Sequence, residues 1–210
     1  MIEIILVDDH AIVREGIRRI IDDTPGITIF SEASTGEGAL ELIKKKKYDL
    51  VILDISMPGK NGLQTLREIK QYNKKLPVLM LSMHAEEQYA MRAIKAGASG
   101  YLTKDSASEQ LVEAINKIHN GRKYINKEVA ELLVSDIYHK DEKRPHAYLS
   151  DREFEVMKFI IQGHSAQYIS SKLGISDKTV STYRSRILKK MSLKSTADLI
   201  YYAIENHLTD

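Results

Sequence analysis

The stretch "LVDDHAIVREG", Leu6 to Gly16, sets two aspartates between an apolar strand and the start of a helix. Short acidic side chains at a helix start accept hydrogen bonds from orphan amides and suit the positive end of the dipole. Alone, Asp8 and Asp9 would be caps. A chemical role requires a third carboxylate and a cation partner at the same end of the same sheet.

Working outward, two periods alternate through the first 120 residues. "IEIILV", "ITIFSEA", "YDLVILD", "PVLMLS" and "SGYLT" are short, apolar and rich in branched residues, as buried parallel strands are. Between them, apolar residues recur at helical spacing, as in Ile17, Ile20 and Ile21 or Leu111, Ile115 and Ile118. Five such β-α units predict an α/β fold: a doubly wound, flavodoxin-like parallel sheet of five strands. Ligands of that fold sit beyond the carboxyl ends of the strands.

The third carboxylate is Asp54, which ends "YDLVILD". Strands one and three are neighbours in flavodoxin-like order, so Asp8, Asp9 and Asp54 converge on one pocket. Three crowded anions need a cation, and an all-oxygen pocket favours Mg²⁺. Strand four ends in Ser82, a hydroxyl donor or a helix cap. Strand five runs through Tyr101 to Lys104, an ammonium that either pairs with the acids or sits in solvent. Of the seven histidines, most are expected at the surface; His84, two residues past Ser82, is the one expected near the site.

From Leu149 onward every pattern is helical. "SDRE" has the form of a capping box with Ser150 and Glu153, and Gly174 separates a short helix from a longer one capped by Ser176. Between Lys178 and Lys194 lie six basic residues and no acidic one, although the whole chain carries only +2. A short helix, a turn and a capped basic helix make a helix-turn-helix, whose second member enters the major groove of double-stranded DNA. Val180, Ile187, Leu188 and Met191 share its buried side. Lys178, Thr179, Ser181, Thr182, Arg184, Ser185 and Lys189 are the expected DNA-facing residues. The domains expected are 1–121, then a helix and charged linker over 122–148, then a DNA-binding domain over 149–210.

Two resemblances follow from these motifs. "VDDH", "LDISMPGKNG", "LS" and "TK", in that order, resemble the receiver domain of two-component response regulators. "LSDREFEVMKFIIQGHSAQYISSKLGISDKTVSTYRSRILKKMSLKSTADL" resembles the LuxR-type DNA-binding domain. Together they look like the NarL/FixJ family. The resemblance implies that Asp54 accepts a phosphoryl group from a sensor histidine kinase, and that Asp9, Asp54 and the Ser56 carbonyl hold Mg²⁺ while Asp8 assists. It also implies that Ser82 and Lys104 contact the phosphoryl group, that Tyr101 is an aromatic switch, and that phosphorylation yields a homodimer competent for operator binding. Two departures stand out. Asp105 occupies the place where many receivers have proline, and Ser181 and Tyr183 replace the lysine and histidine common on the reading helix.

Other functions fit less well. A phosphohydrolase of the haloacid dehalogenase type would carry a second aspartate two residues after the nucleophile, and that residue here is Ser56. The protein is therefore expected to be no enzyme beyond possible loss of its own phosphoryl group. A receiver that works without phosphate would not need the full set of acids. The absence of cysteine removes thiolate chemistry. The N-terminus lacks the form of a secretory signal, and no apolar run approaches the roughly 20 residues that cross a bilayer. A cytoplasmic protein without membrane contact is expected.

Overall fold

Branched and apolar residues form β1 (Ile2–Val7), β2 (Ile27–Ala33), β3 (Leu50–Asp54), β4 (Val78–Ser82) and β5 (Gly100–Thr103) in the computed structural model. All pair in parallel, in the order β2-β1-β3-β4-β5. The structure describes residues 1–83, 87–138, 144–206 and 208, and the chain divides into two units, 1–137 and 138–210. His84, His139 and His207 lie outside the described residues.

In the first unit the strands alternate with α1 (Ala11–Asp22), α2 (Gly36–Lys45), α3 (Gly62–Tyr72), α4 (Glu87–Lys95) and α5 (Ala107–His119). Ile4, Leu6, Ile52 and Leu81 pack with Ile17 and Ile21 of α1 and with Leu111 and Ile115 of α5. The intervening Ile5, Val7, Val51, Leu53 and Met80 point to the other face and are equally sealed from solvent. Each such side chain contributes roughly 1.5–3 kcal/mol by burial. Double-sided burial is what makes the central strands read as continuous apolar runs.

The two edges of the sheet differ. "ITIFSEA" is expected as a buried strand, but β2 is an edge strand, mostly half-buried, with Phe30 exposed under the Lys46 ammonium. Its composition carries the difference: Thr28, Ser31 and Glu32 are polar, where the central β3 and β4 are apolar up to their last residue. At the opposite edge the chain leaving α5 lies against β5. Tyr124 N–H donates to the Ser99 carbonyl and its own carbonyl accepts from Tyr101 N–H, both at 3.0 Å. Its hydroxyl donates to Gln110 of α5 at 2.9 Å. A side chain at Gly100 would begin 2.9 Å from the Tyr124 carbonyl, so only glycine admits this contact.

The expected helix over 126–138 is α6 (Lys127–Tyr138), with Val129 buried; the Leu132 and Ile137 side chains lie outside the described ones. The second unit contains α7 (Asp151–Ile161), α8 (Ala166–Leu173), α9 (Asp177–Lys190) and α10 (Thr196–Glu205). Ser150 and Glu153 form the expected capping box, Ser176 caps α9, and Gly174 ends α8 in the left-handed conformation at φ 63°. Buried Arg152 ties α7 to α8 through the Leu173 carbonyl at 2.6 Å, and Lys190 of α9 bonds Glu153 at 2.6 Å. Burial works against the Glu153 carboxylate, yet Lys190 and Ser150 outweigh it and hold its pKa low.

One histidine departs from the surface expectation. His146 is buried in a 3-10 turn, Pro145–Tyr148, and its Nδ1 lies 2.8 Å from the Tyr202 hydroxyl of α10. The last residues before 149, expected as linker by their charge, thus pack within the second unit. An imidazole with a hydroxyl partner tolerates burial that its isolated residue type does not suggest.

Candidate functional site

Register carries the acids together. Val7 pairs with Leu53, so the residues that follow, Asp8 and Asp54, emerge side by side at the carboxyl edge. Both are fully buried. Asp8 does not cap α1: the N-cap position belongs to His10, and Asp8 Oδ1 accepts the His10 amide at 2.8 Å. Arg14 of α1 fixes the turn by donating to the Asp8 carbonyl at 2.7 Å.

Lys104 follows β5 and is anchored through its own amide, which donates to the Ser82 carbonyl at 2.8 Å. Its ammonium reaches Asp8 Oδ2 at 2.7 Å and Asp54 Oδ1 at 3.0 Å, with only 7% of the side chain exposed. It is therefore a buried partner of the acids and not a solvated lysine. Burial would lower its pKa, but Asp54 and Asp8 prevail and raise it. Asp54 moves the other way: burial, then repulsion from Asp8, pushes its pKa up to about 6, although Lys104 and the Ser56 main chain favour the charged form.

Ser82 is fully buried at the end of β4, and Tyr101 is buried at 9% exposure in β5, more enclosed than a half-buried strand residue. Ser56 is half-buried in the loop after β3. That loop returns tightly. Gly62 N–H donates to the Ile55 carbonyl at 2.9 Å, and a Cβ on Gly62 would stand 2.0 Å from the Asp54 carbonyl oxygen. Glycine is required there by close approach of two backbones.

The donor set fits a hard divalent cation. Asp8 Oδ2, Asp9 Oδ1 and both Asp54 oxygens are buried without a well-formed hydrogen bond; Lys104 and His10 offer only charge contacts to three of them. Three carboxylates against one ammonium leave two negative charges, which one Mg²⁺ would balance. Oxygen ligands and that charge suit Mg²⁺. His10 is the member that sequence reasoning missed. Its Nδ1 lies 3.0 Å from Asp9 Oδ1, and one nitrogen joins the three acids within 4.8 Å. Its position directly after the acidic pair was the available signal.

In the second unit, Lys178, Ser181, Thr182, Arg184, Ser185 and Lys189 are exposed on α9, while Val180, Ile187 and Met191 are buried and Leu188 is half-buried. Thr179 is half-buried and its hydroxyl lies 2.8 Å from the capping Ser176. Thr182 and Ser185 donate back to the carbonyls of Lys178 and Ser181, which holds their hydroxyls along the helix. Lys190, one of the six basic residues, is committed to Glu153.

Comparison with known proteins agrees with both units. Residues 4–116 match the response regulator receiver domain, and residues 147–203 match the bacterial regulatory proteins of the luxR family. The response regulator UvrY of Escherichia coli K12 is 38% identical over 209 residues, covering 99% of this chain and 96% of UvrY. The chain belongs to the NarL/FixJ family of two-component response regulators. Among solved structures, the response regulator ChrA of a heme-sensing two-component system is 33% identical, with a TM-score of 0.54 over 99% of this regulator and 98% of ChrA. A structure of RcsB dimers bound to DNA is 25% identical, with a TM-score of 0.59 over 96% of each chain. The regulator carries a LuxR-type DNA-binding domain, and the similar proteins are regulators and not enzymes. Among the described residues no helix is long and apolar enough to cross a membrane.

Proposed function

We propose that this regulator is a phosphorylation-controlled transcription factor of the cytoplasm, with Asp54 as phosphoacceptor and a sensor histidine kinase as donor. The observation that carries the proposal is the position of Lys104, held between Asp8 and Asp54 at the end of a sheet whose acids are short of donors. An Asp54 oxygen attacks phosphorus, the bond from phosphorus to the kinase histidine breaks, and Lys104 neutralises an equatorial oxygen. Asp9, Asp54 and the Ser56 carbonyl would hold Mg²⁺, with Asp8 assisting; bound there, the ion supplies charge stabilisation to the transferring group. Ser82 contacts the new phosphoryl group and Tyr101 responds as the switch residue.

Phosphorylation then favours a homodimer, and the dimer reads paired half-sites in double-stranded DNA. RcsB, similar over nearly the whole chain, is known as dimers on DNA. Ser181, Thr182 and Ser185 would face base edges, while Lys178, Arg184 and Lys189 lie nearer phosphates and Thr179 sits at the helix entry. Residues 1–121 and 149–210 would serve as receiver and DNA-binding domain, and of the stretch 122–148 between them Tyr124 is bonded to β5 of the first unit and His146 to Tyr202 of the second.

The direct test is labelling by acetyl phosphate with Mg²⁺, followed by borohydride trapping and mass spectrometry. The label is expected on Asp54 alone, and Asp9→Ala should lose both labelling and metal dependence. Label retained in Asp54→Asn at the wild-type level would sink the assignment. Sedimentation with and without the phosphodonor reports the dimer.

A further inference from the structure

At the amino end of the sheet, opposite the acids, two lysines bind main-chain carbonyls. Lys70, in the last turn of α3, donates to the Leu76 carbonyl at 2.5 Å. Lys123, which follows α5, donates to the Ala98 carbonyl just ahead of β5. The Lys70 stem lies along Gly97: its Cγ, Cδ and Cε stand 3.4–3.6 Å from the place that a Cβ would take there. Bare backbone at that residue makes room for the stem, and the lysine is held half-buried.

Its surroundings differ from those of the other partly enclosed lysines. Lys46, Lys60, Lys104 and Lys190 each reach a carboxylate. Lys158 bonds the Leu208 carbonyl but is buried out of reach of a reagent. Lys70 forms no ion pair among the described residues and faces a second cation, Lys123, instead. Burial, then the charge of Lys123, lowers its pKa from 10.5 to about 8. Desolvation and a neighbouring cation are the two settings that make a lysine nucleophilic near neutral pH. The Leu76 carbonyl engages one N–H, and the lone pair of the neutral amine points away from that bond.

We propose that Lys70 is an acylation site for small acyl phosphates, with Lys123 receiving the phosphate that leaves. Lys123 gives one of its three donors to Ala98, which leaves two for an oxyanion. The Lys70 nitrogen attacks the acyl carbon and a C–N bond forms. The bond from that carbon to the phosphate oxygen breaks, phosphate departs with the electron pair, and the nitrogen releases its proton to solvent. Attack at carbon separates this reaction from attack on phosphorus by Asp54, at the other end of the sheet. The amide product keeps an N–H for the Leu76 carbonyl and removes one of two adjacent positive charges.

The test uses the full chain in EDTA with two donors, acetyl phosphate and the uncharged N-acetoxysuccinimide, and reads each lysine by peptide mass spectrometry. With acetyl phosphate at about pH 7.5, Lys70 is expected to acetylate about tenfold faster than the exposed Lys178, because far more of it is neutral. Its rate should level off above about pH 8, whereas that of Lys178 should still climb at about pH 9.5. Asp54→Asn should change neither rate, so this site and the phosphoacceptor reading can fail separately. Lys123→Gln should move the levelling point upward and reduce the preference for Lys70, more with acetyl phosphate than with the uncharged ester. Equal rates at Lys70 and Lys178, or a Lys70 rate that climbs in parallel with that of Lys178, would overturn the site. A Lys123→Gln profile identical to wild type with both donors would overturn the part given to Lys123.

Discussion

The Lys104 ammonium lies 3.0 Å from Asp54 Oδ1 where both side chains are almost sealed from solvent. Electrostatics at this distance is strong because little water screens it. The lysine does not, however, fully neutralise its surroundings, since Asp8 and Asp9 share the same edge.

The first prediction concerns pH. Burial and Asp8 raise the Asp54 pKa from the ordinary 3.8 to about 6. Between those values the folded state binds more protons than the unfolded state, so stability falls as pH rises from about 4 to 6. The loss is about 3 kcal/mol at 1.36 kcal/mol per pKa unit. Asp54→Asn cannot ionise there. In metal-free buffer it should be more stable than wild type at pH 7.5, with the gap closing toward pH 4. Urea melts at both pH values measure this; a less stable Asn variant at pH 7.5 contradicts it.

Removal of Lys104 should act in the opposite direction. Lys104→Met leaves Asp8 and Asp54 facing each other uncompensated, a change that costs about 3–5 kcal/mol for buried pairs. Millimolar Mg²⁺ should restore part of the lost melting temperature. Adding Asp54→Asn to the variant should restore more in metal-free buffer, and a double-mutant cycle gives the coupling. Additive effects would show that the ammonium and the carboxylate are independent.

Two glycines of one loop should respond differently. Gly59 has φ +71° but open space around it, so Gly59→Ala meets only backbone strain of about 1 kcal/mol. Gly62→Ala drives a methyl into the Asp54 carbonyl and must displace the start of α3. Acyl-phosphate labelling should slow markedly in Gly62→Ala and little in Gly59→Ala. Indistinguishable labelling rates would mean that this close approach does not position Asp54.

The basic residues of α9 divide by what they already touch. Lys178→Ala should weaken binding to all DNA and reduce the log-log salt slope by about one unit. Thr182→Ala should mainly relax sequence preference, by about 1–3 kcal/mol at one base position. Lys190→Met should leave the slope unchanged and lower domain stability, because its ammonium is held by Glu153. The depressed Glu153 pKa means that this stability is present above the unfolded carboxylate pKa and lost on acidification. Salt titrations on a selected operator and on random DNA, with melts, separate the three.

Much of this was legible because it depends on local rules. Strand type, sheet order and the meeting of Asp8 with Asp54 follow from period and from fold topology, and the caps at Ser150 and Ser176 follow from spacing. What escaped depends on contacts between distant segments. Phe30 meets the Lys46 ammonium, which lies a helix away in the chain, and the burial of His146 comes from Tyr202, 56 residues away. His10 was masked by its neighbours, since the aspartates explain themselves without it. Lys190 reads as one more cation until α7 is folded against α9.

The bond between Tyr124 and the β5 edge bears on where the first unit can be cut. A fragment ending at Gly121, where composition first changes, would strip β5 of its cover and leave Ser99 and Tyr101 with open main-chain groups. Naked strand edges recruit other strands, so such a fragment is at risk of polymerising through its sheet. One ending after Asn126 keeps the edge closed. The chain's exit is written in backbone bonds and one obligatory glycine, and the Lys123 ammonium ties the path once more by donating to the Ala98 carbonyl.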